Sequence, residues 1–250
     1  MKQIIFIIVL ITSLNVTAEE MSSPTFEELK PQILTMFLNE EFLSNSNPYT
    51  PSANGYKEFN KYMKELFKED IVLRYLYDIV TEYNNTNIDM NIVGEGLGYE
   101  IAMKGMKRLD DQDAVSILNI LTRIYNVTNT SDCADLFTGE KSVNIYKLLQ
   151  LLPSEDIQEY FRIVKVAVLS ELKNDPPITI MSEQQINAAM EFIFSNIKQD
   201  DLIRYSEIYS NIRRSSKEDV CWCGRLLFNN ANNLTGIAKN LAARVMVTQI

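Results

Sequence analysis

The stretch PSEDIQEYFRIVKV, residues 153–166, decides how this chain is organised. A proline and a serine precede two acids, and apolar residues then recur at the three- and four-residue spacing of one helix face. Asp156 falls in the first turn of that helix, where a carboxylate meets unpaired backbone N–H groups and the positive end of the helix dipole. The stretch therefore predicts a helix start at which Asp156 acts as a cap, with Ser154 before it as a natural N-cap.

The same pattern recurs three more times along the chain. It is found at 67–80 (FKEDIVLRYLYDIV), at 110–124 (DDQDAVSILNILTRI) and at 198–212 (KQDDLIRYSEIYSNI). The aspartates at the shared position are Asp70, Asp113, Asp156 and Asp201, at intervals of 43, 43 and 45 residues. An apolar residue stands four positions before each of them: Leu66, Leu109, Leu152 and Ile197. Each copy is interpreted as a helix, a short turn and a second helix that the aspartate caps. Asp110, which precedes Asp113, is a further natural N-cap.

These intervals predict an all-α fold of about four tandem αα-hairpins with a period of about 43 residues. The hairpin units are expected at about 54–87, 95–130, 139–175 and 182–215. Such units stack into a short solenoid, and the groove made by one helix from each unit is then the expected binding surface. A compact helical bundle is the alternative.

Both ends of the predicted stack need helices to close the core. A helix over 25–43, kinked or restarted at Pro31, and a C-terminal helical cap at 216–250 are expected to do so. Between the third and fourth units, PITIM (177–181) is predicted to be an extended connector. Ser182 and Gln185 then form the pattern of a capping box at the start of the fourth unit.

The first residues have the pattern of a secretory signal peptide. Lys2 precedes an apolar stretch at 4–14, and small residues stand before a cut after Ala18. The stretch is about half of the roughly 20 residues that a membrane-spanning helix needs. We therefore expect a cleaved signal peptide at 1–18 and a single soluble domain at 19–250, periplasmic or secreted.

Composition excludes several kinds of function. The chain has no histidine, which excludes Ser-His-Asp and Cys-His catalysis and His-ligated zinc. The net charge is −9, and it becomes −10 once Lys2 is removed, which argues against nucleic acid as a partner. We expect no enzyme, no catalytic residue, no cofactor and no metal site. An acidic surface is compatible with a basic protein partner.

Three cysteines are present, and in an exported protein they predict a disulfide. Cys133 is expected to pair with Cys221 or Cys223, which leaves one thiol. A redox site in which Cys221 and Cys223 cycle as a C-x-C dithiol is a further alternative. The segment 129–140 around Cys133 is similar in length to a calcium-binding loop, but Ala134 stands where such a loop needs glycine. We therefore interpret the segment as a polar inter-helix loop.

Glycosylation sequons begin at Asn84, Asn126, Asn129 and Asn233, and they matter only if the source glycosylates exported proteins. The sequence as a whole favours an exported, non-enzymatic binding or scaffold protein that contacts another protein. The main alternative is a compact inhibitor or immunity-type protein that neutralises a cationic enzyme in the same compartment.

Overall fold

The structure is a computed structural model that describes residues 24–83, 100–140 and 143–248. The predicted signal peptide, sequon Asn84 and the start of the second predicted unit lie outside these ranges. Within them every regular element is a helix and no strand occurs, so the predicted all-α class is confirmed. The helices are α1 (Phe26–Phe37), α2 (Glu40–Ser46), α3 (Tyr56–Leu66), α4 (Asp70–Tyr83), α5 (100–106), α6 (Asp111–Val127), α7 (Thr130–Phe137), α8 (Ile145–Leu149), α9 (Ser154–Lys173), α10 (Glu183–Ser195), α11 (Gln199–Ser210), α12 (Lys217–Asn233) and α13 (Gly236–Thr248).

Four short turns join helices at the places that the sequence pattern indicates, at 67–69, 107–110, 150–153 and 196–198. The apolar residue four positions before each aspartate is buried at all four turns: Leu66, Leu109, Leu152 and Ile197. At the last three turns the N–H of this residue donates to the carbonyl oxygen three residues earlier, at 3.4, 2.9 and 3.0 Å. The four turns thus share the burial of one apolar side chain, and three of them share a backbone hydrogen bond.

Helix α6 lies at the centre of the core and packs against α9, α12 and α13. Two ion pairs show how α6 and α9 are oriented. Asp113, at the start of α6, contacts Arg162 in the middle of α9, whereas Arg123, further along α6, lies 2.6 Å from Asp156 at the start of α9. The two helices are therefore antiparallel. Successive repeats of a regular solenoid would place their second helices parallel.

A glycine allows α5 to approach α9 closely. A Cβ on Gly105 would lie 2.0 Å from the backbone oxygen of Ala167, which is far inside a van der Waals contact. Only a residue without a side chain lets α5 pack this closely on α9.

The C-terminal helices pack against helices in the middle of the chain as well as against the fourth unit. Helix α12 packs against α6 and α7 as well as α10 and α11, and α13 packs against α6 and α10. The order of the helices in space thus differs from their order in sequence. Among the described residues, no helix is long and apolar enough to cross a membrane.

The N-terminal prediction is wrong in one detail, which is the position of the break. Helix α1 continues through Pro31, and a new helix, α2, begins after Asn39. The side chain of Asn39 accepts hydrogen bonds from the N–H groups of Glu41 and Phe42. This N-cap, and not the proline, separates the two helices.

The predicted polar loop at 129–140 contains a helix instead, α7. Its start is polar because Asn129 is the N-cap and accepts from the N–H of Asp132 at 3.0 Å. Cys133 and Ala134 are buried against α12. Contacts with a helix that lies about 90 residues later in the sequence stabilise α7, so its own composition does not reveal it.

Candidate interaction surface

Cys133 and Cys221 lie at disulfide distance, with their sulfur atoms 2.01 Å apart. The pair joins α7 to α12, and both side chains are buried. Of the two partners that the sequence left open for Cys133, the structure selects Cys221. The link therefore ties the middle of the chain to its C-terminal helices.

Cys223 is the remaining thiol and is fully buried. Burial raises its pKa to about 11 because the surrounding protein solvates a thiolate poorly. Its neighbour in the C-x-C pattern, Cys221, is already engaged with Cys133. A buried thiol with a raised pKa is a poor nucleophile, so the geometry does not support a redox pair made of Cys221 and Cys223.

The four repeated aspartates lie in the first turn of their helices, as expected for residues that meet the helix dipole. The side-chain N-cap of α6 is Asp110, whose carboxylate accepts from the N–H of Asp113 at 2.8 Å. At α9 the N-cap position belongs to Pro153, and Ser154 is the first helical residue. The capping box of Ser182 and Gln185 is present.

Most of the repeated aspartates form ion pairs and do not cap backbone N–H groups. Asp70 accepts from Lys30 at 2.8 Å, Asp113 from Arg162, and Asp156 from Arg123. The carboxylate of Asp201 has no hydrogen bond or ion pair with any described residue. The expected cap role at α6 therefore belongs to Asp110, because its N-cap position lets a short carboxylate reach the orphan N–H group.

The connector between α9 and α10, residues 174–182, contains no helix or strand, and it includes the predicted connector at 177–181. Its first residues are held by Arg108, only 6% of which is exposed. The guanidinium donates to Glu171 Oε2 at 2.7 Å, to the carbonyl oxygen of Pro176 at 2.7 Å and to Asn174 Oδ1 at 2.5 Å. Each of the three guanidinium nitrogens thus donates one hydrogen bond, and one buried side chain holds the end of α9 and the start of the connector.

Two further contacts hold the rest of the connector. The N–H of Thr179 donates to the carbonyl oxygen of Lys107 at 3.0 Å. The N–H of Ser182 donates to Gln185 Oε1 at 2.9 Å. Residues 179–182 are therefore held by a backbone hydrogen bond at one end and by the capping box of α10 at the other.

The connector exposes apolar side chains in spite of these anchors. Ile178 is 42% exposed and Ile180 is 86% exposed. They form the candidate interaction surface, which we call the connector face and define as residues 177–181.

Charges near the connector face balance one another. Asp175 and Glu183 flank it, and Lys173 and Lys107 lie at its base; all four are exposed and have no ion pair with a described residue. The local net charge is thus close to zero, unlike the chain as a whole.

A second surface feature is an open groove on α3 lined by Lys57, Asn60, Lys61, Lys64, Glu65 and Lys68. Its cations are partly offset, since Lys64 lies 2.6 Å from Glu40 and Lys61 lies 4.0 Å from Glu65. Among the described residues, no cluster of three His, Cys, Asp or Glu side chains has the arrangement of a metal site.

Sequence reasoning found the connector but missed its anchor. Arg108 reaches partners 63 to 68 residues away, and nothing in the local sequence distinguishes it from a solvated basic residue at a turn.

No family model, no curated protein and no solved structure matches this chain.

Proposed function

We propose that the chain is an exported, non-enzymatic, α-helical binding or scaffold protein that contacts another protein in the periplasm or extracellular space. The connector face carries this proposal. Ile180 is 86% exposed although the segment that bears it is tied to a side chain that is only 6% exposed. Exposed apolar groups on a fixed backbone are typical of protein contact surfaces. Docking buries these groups, and the fixed backbone loses little conformational entropy when it binds.

The proposal includes a repeated helix–turn–helix unit. The shared burial of Leu66, Leu109, Leu152 and Ile197 supports it, as does the aspartate in each following first turn. Because α6 and α9 are antiparallel, we assign binding to the connector face between the third and fourth units. A groove built from parallel second helices is not the surface that we propose.

An inhibitor or immunity-type protein is the second candidate, and the net charge of −9 favours it. Such a protein would attract a cationic enzyme over a distance, so its association rate would fall steeply with salt. Docking on the near-neutral connector face would depend little on salt. Salt dependence therefore separates the two candidates.

Affinity capture tests the proposal. The mature chain is immobilised and exposed to an envelope or secreted fraction of the source cells, at low and at high salt. We expect a retained protein partner at both salt concentrations. A partner that is lost at high salt indicates the inhibitor-type function, and a bait that retains no partner even at low salt contradicts both.

A further inference from the structure

We propose that Asn233 carries an N-linked oligosaccharide in the exported protein. The sequon Asn233-Leu234-Thr235 spans the junction between α12 and α13. The modification goes beyond the proposed binding function, and it rests on the export that is part of that function. A membrane-bound oligosaccharyltransferase of the secretory route would attach the sugar.

The transfer needs only one co-substrate, an oligosaccharide activated as a lipid-linked diphosphate. Nδ2 of Asn233 forms a bond to the anomeric carbon of the first sugar, and the bond between that carbon and the diphosphate oxygen breaks. Nδ2 loses one proton to a base of the transferase. The products are the N-linked sugar and the lipid diphosphate, so no oxidant or reductant takes part.

The backbone leaves the helix at this sequon. Helix α12 ends at Asn233 and α13 begins at Gly236, so Leu234 and Thr235 lie in the turn between the two helices. Leu234 has extended backbone angles, with φ −66° and ψ 160°. The side chains of Asn233 and Thr235 are both exposed. A glycosylated sequon is expected in such a surface turn.

The turn is fixed, and the space beside it is open. Lys239 Nζ donates to the carbonyl oxygen of Asn232 at 2.8 Å, which ties α13 to the end of α12. The carboxamide of Asn233 has no hydrogen bond with any described residue. A Cβ built on Gly236 would have no atom within 4 Å beyond its chain neighbours. A sugar on Asn233 would therefore displace no hydrogen bond of the described residues.

The sequon at Asn126 lies in a different environment. Nδ2 of Asn126 donates to Asn229 Oδ1 at 2.9 Å, and its Oδ1 accepts from Asn229 Nδ2 at 3.1 Å. A sugar on Nδ2 would enter the side of the amide that faces Asn229. The hydroxyl that completes this sequon belongs to Thr128, which is only 2% exposed. The folded chain thus keeps both of its polar groups from the transferase.

The sequon at Asn129 is also engaged in the fold. Asn129 is the N-cap of α7, and its Nδ2 donates to Asp132 Oδ2 at 2.8 Å. The hydroxyl of Ser131 accepts from Lys217 Nζ at 2.7 Å. A sugar here would crowd the first turn of α7. Of the three sequons that the structure describes, the one at Asn233 has both its amide and its hydroxyl free of hydrogen bonds to described residues.

Peptide mapping of the natural protein tests the proposal. Trypsin places Asn233 in the peptide 226–239, and it places Asn126 and Asn129 together in 124–141. Enzymatic removal of the sugar in heavy-oxygen water converts each occupied asparagine into a labelled aspartate. We expect the label in 226–239 from most molecules and in 124–141 from few. A digest without the deglycosylating enzyme controls for spontaneous deamidation.

Variants of the full chain, secreted from a host that glycosylates, test whether the sequon itself is read. Thr235→Val removes the hydroxyl and nearly keeps the shape of the side chain, so the label in 226–239 should be lost. Thr235→Ser restores a hydroxyl and should keep the label. Thr128→Val and Ser131→Ala remove the other two described sequons and are the matched controls. Both should leave the label in 226–239 unchanged.

Several outcomes would overturn the proposal. An exported natural protein with an unmodified Asn233 would remove the sugar and leave the proposed function in place. A chain that is retained inside the source cells would remove the proposed export, and the modification with it. In the host, equal labelling of 124–141 and 226–239 would show that the fold does not distinguish the sequons. A label in 226–239 that survives Thr235→Val would show that the sequon is not the signal.

Discussion

Arg108 Nε lies 2.7 Å from Glu171 Oε2, and this ion pair joins the turn before α6 to the last turn of α9. The arginine side chain is 6% exposed and the glutamate side chain is 21% exposed, so solvent screens the pair only in part. The same guanidinium also holds Asn174 and Pro176. One buried cation therefore stabilises both the core and the base of the connector face.

Replacing this arginine should be among the costliest single changes in the chain. Arg108→Met leaves Glu171 without its cation, and we expect unfolding in urea to show a loss of about 3 kcal/mol. Lys64→Met is the control, because both side chains of its ion pair with Glu40 are solvent-exposed, at 38% and 78%. The control should lose no more than about 1 kcal/mol. Equal losses for the two variants would mean that Arg108 has no special structural role.

The sequence allowed some features to be predicted because their causes are local. Apolar spacing and first-turn acids located the four turns. The packing order could not be predicted, because it depends on contacts between distant segments, such as Gly105 with Ala167. Helix α7 was missed for the same reason, since Cys133 is held by a residue 88 positions away.

An aspartate that caps a helix should contribute more to the free energy of unfolding than an aspartate that only lies in the first turn. Asp110→Ala removes the hydrogen bond to the N–H of Asp113 and should cost about 1 kcal/mol in urea unfolding. Asp201→Ala is the matched control, because its carboxylate contacts no described residue. We expect it to change stability by no more than about 0.5 kcal/mol, from the helix dipole alone. A larger loss for Asp201→Ala than for Asp110→Ala would contradict the cap assignment.

The disulfide should stabilise the fold by lowering the conformational entropy of the unfolded chain. It closes a loop with a sequence separation of 88 residues, and Cys133→Ser should lower the free energy of unfolding by about 2–5 kcal/mol. A thiol count on the denatured, unreduced wild type should give one free thiol, that of Cys223. Three free thiols would show that the bond does not form, and modification at Cys221 in place of Cys223 would show a different pairing.

Stability should fall at alkaline pH because buried groups keep their protons in the folded state. Burial raises the pKa of Cys223 from 9.0 to about 11, and it also raises the pKa values of Tyr62, Tyr125 and Tyr205. At a pH between a group's pKa in the unfolded chain and its raised pKa in the folded chain, the folded chain binds more protons. The free energy of unfolding therefore decreases as pH rises. The contribution of Cys223 is fully present below about pH 9 and is lost towards pH 11, on the order of 2 kcal/mol.

Urea unfolding at several pH values checks this, with Cys223→Ala as the comparison. The variant should start less stable because of a small cavity, and its stability should decline less steeply between pH 9 and 11. Identical slopes would mean that the thiolate is not disfavoured by folding. At neutral pH, iodoacetamide should leave the folded wild type unmodified and should alkylate Cys223 after denaturation, because a buried thiol is protonated and shielded.

Two buried threonines of the same region should respond in opposite directions to the same substitution. Thr122 is 3% exposed and Thr128 is 2% exposed, so both hydroxyl groups are removed from water. The hydroxyl of Thr122 donates to the carbonyl oxygen of Leu118 at 2.7 Å. The hydroxyl of Thr128 has no hydrogen-bond partner among the described residues. Burying a hydroxyl that has no hydrogen-bond partner costs free energy, because the hydroxyl loses its bonds to water. A hydrogen bond within the protein offsets this cost.

Valine has nearly the shape of threonine, so Thr128→Val removes the penalty without opening a cavity. We expect a gain of about 1 kcal/mol for Thr128→Val and a loss of about 1 kcal/mol for Thr122→Val in urea unfolding. Thr128 is also part of the sequon at Asn126, so both variants should be produced in a host that does not glycosylate. If Thr128→Val loses as much stability as Thr122→Val, the Thr128 hydroxyl is hydrogen-bonded in the folded protein, for example to a buried water. The region around the end of α6 would then be more polar than its apolar neighbours indicate.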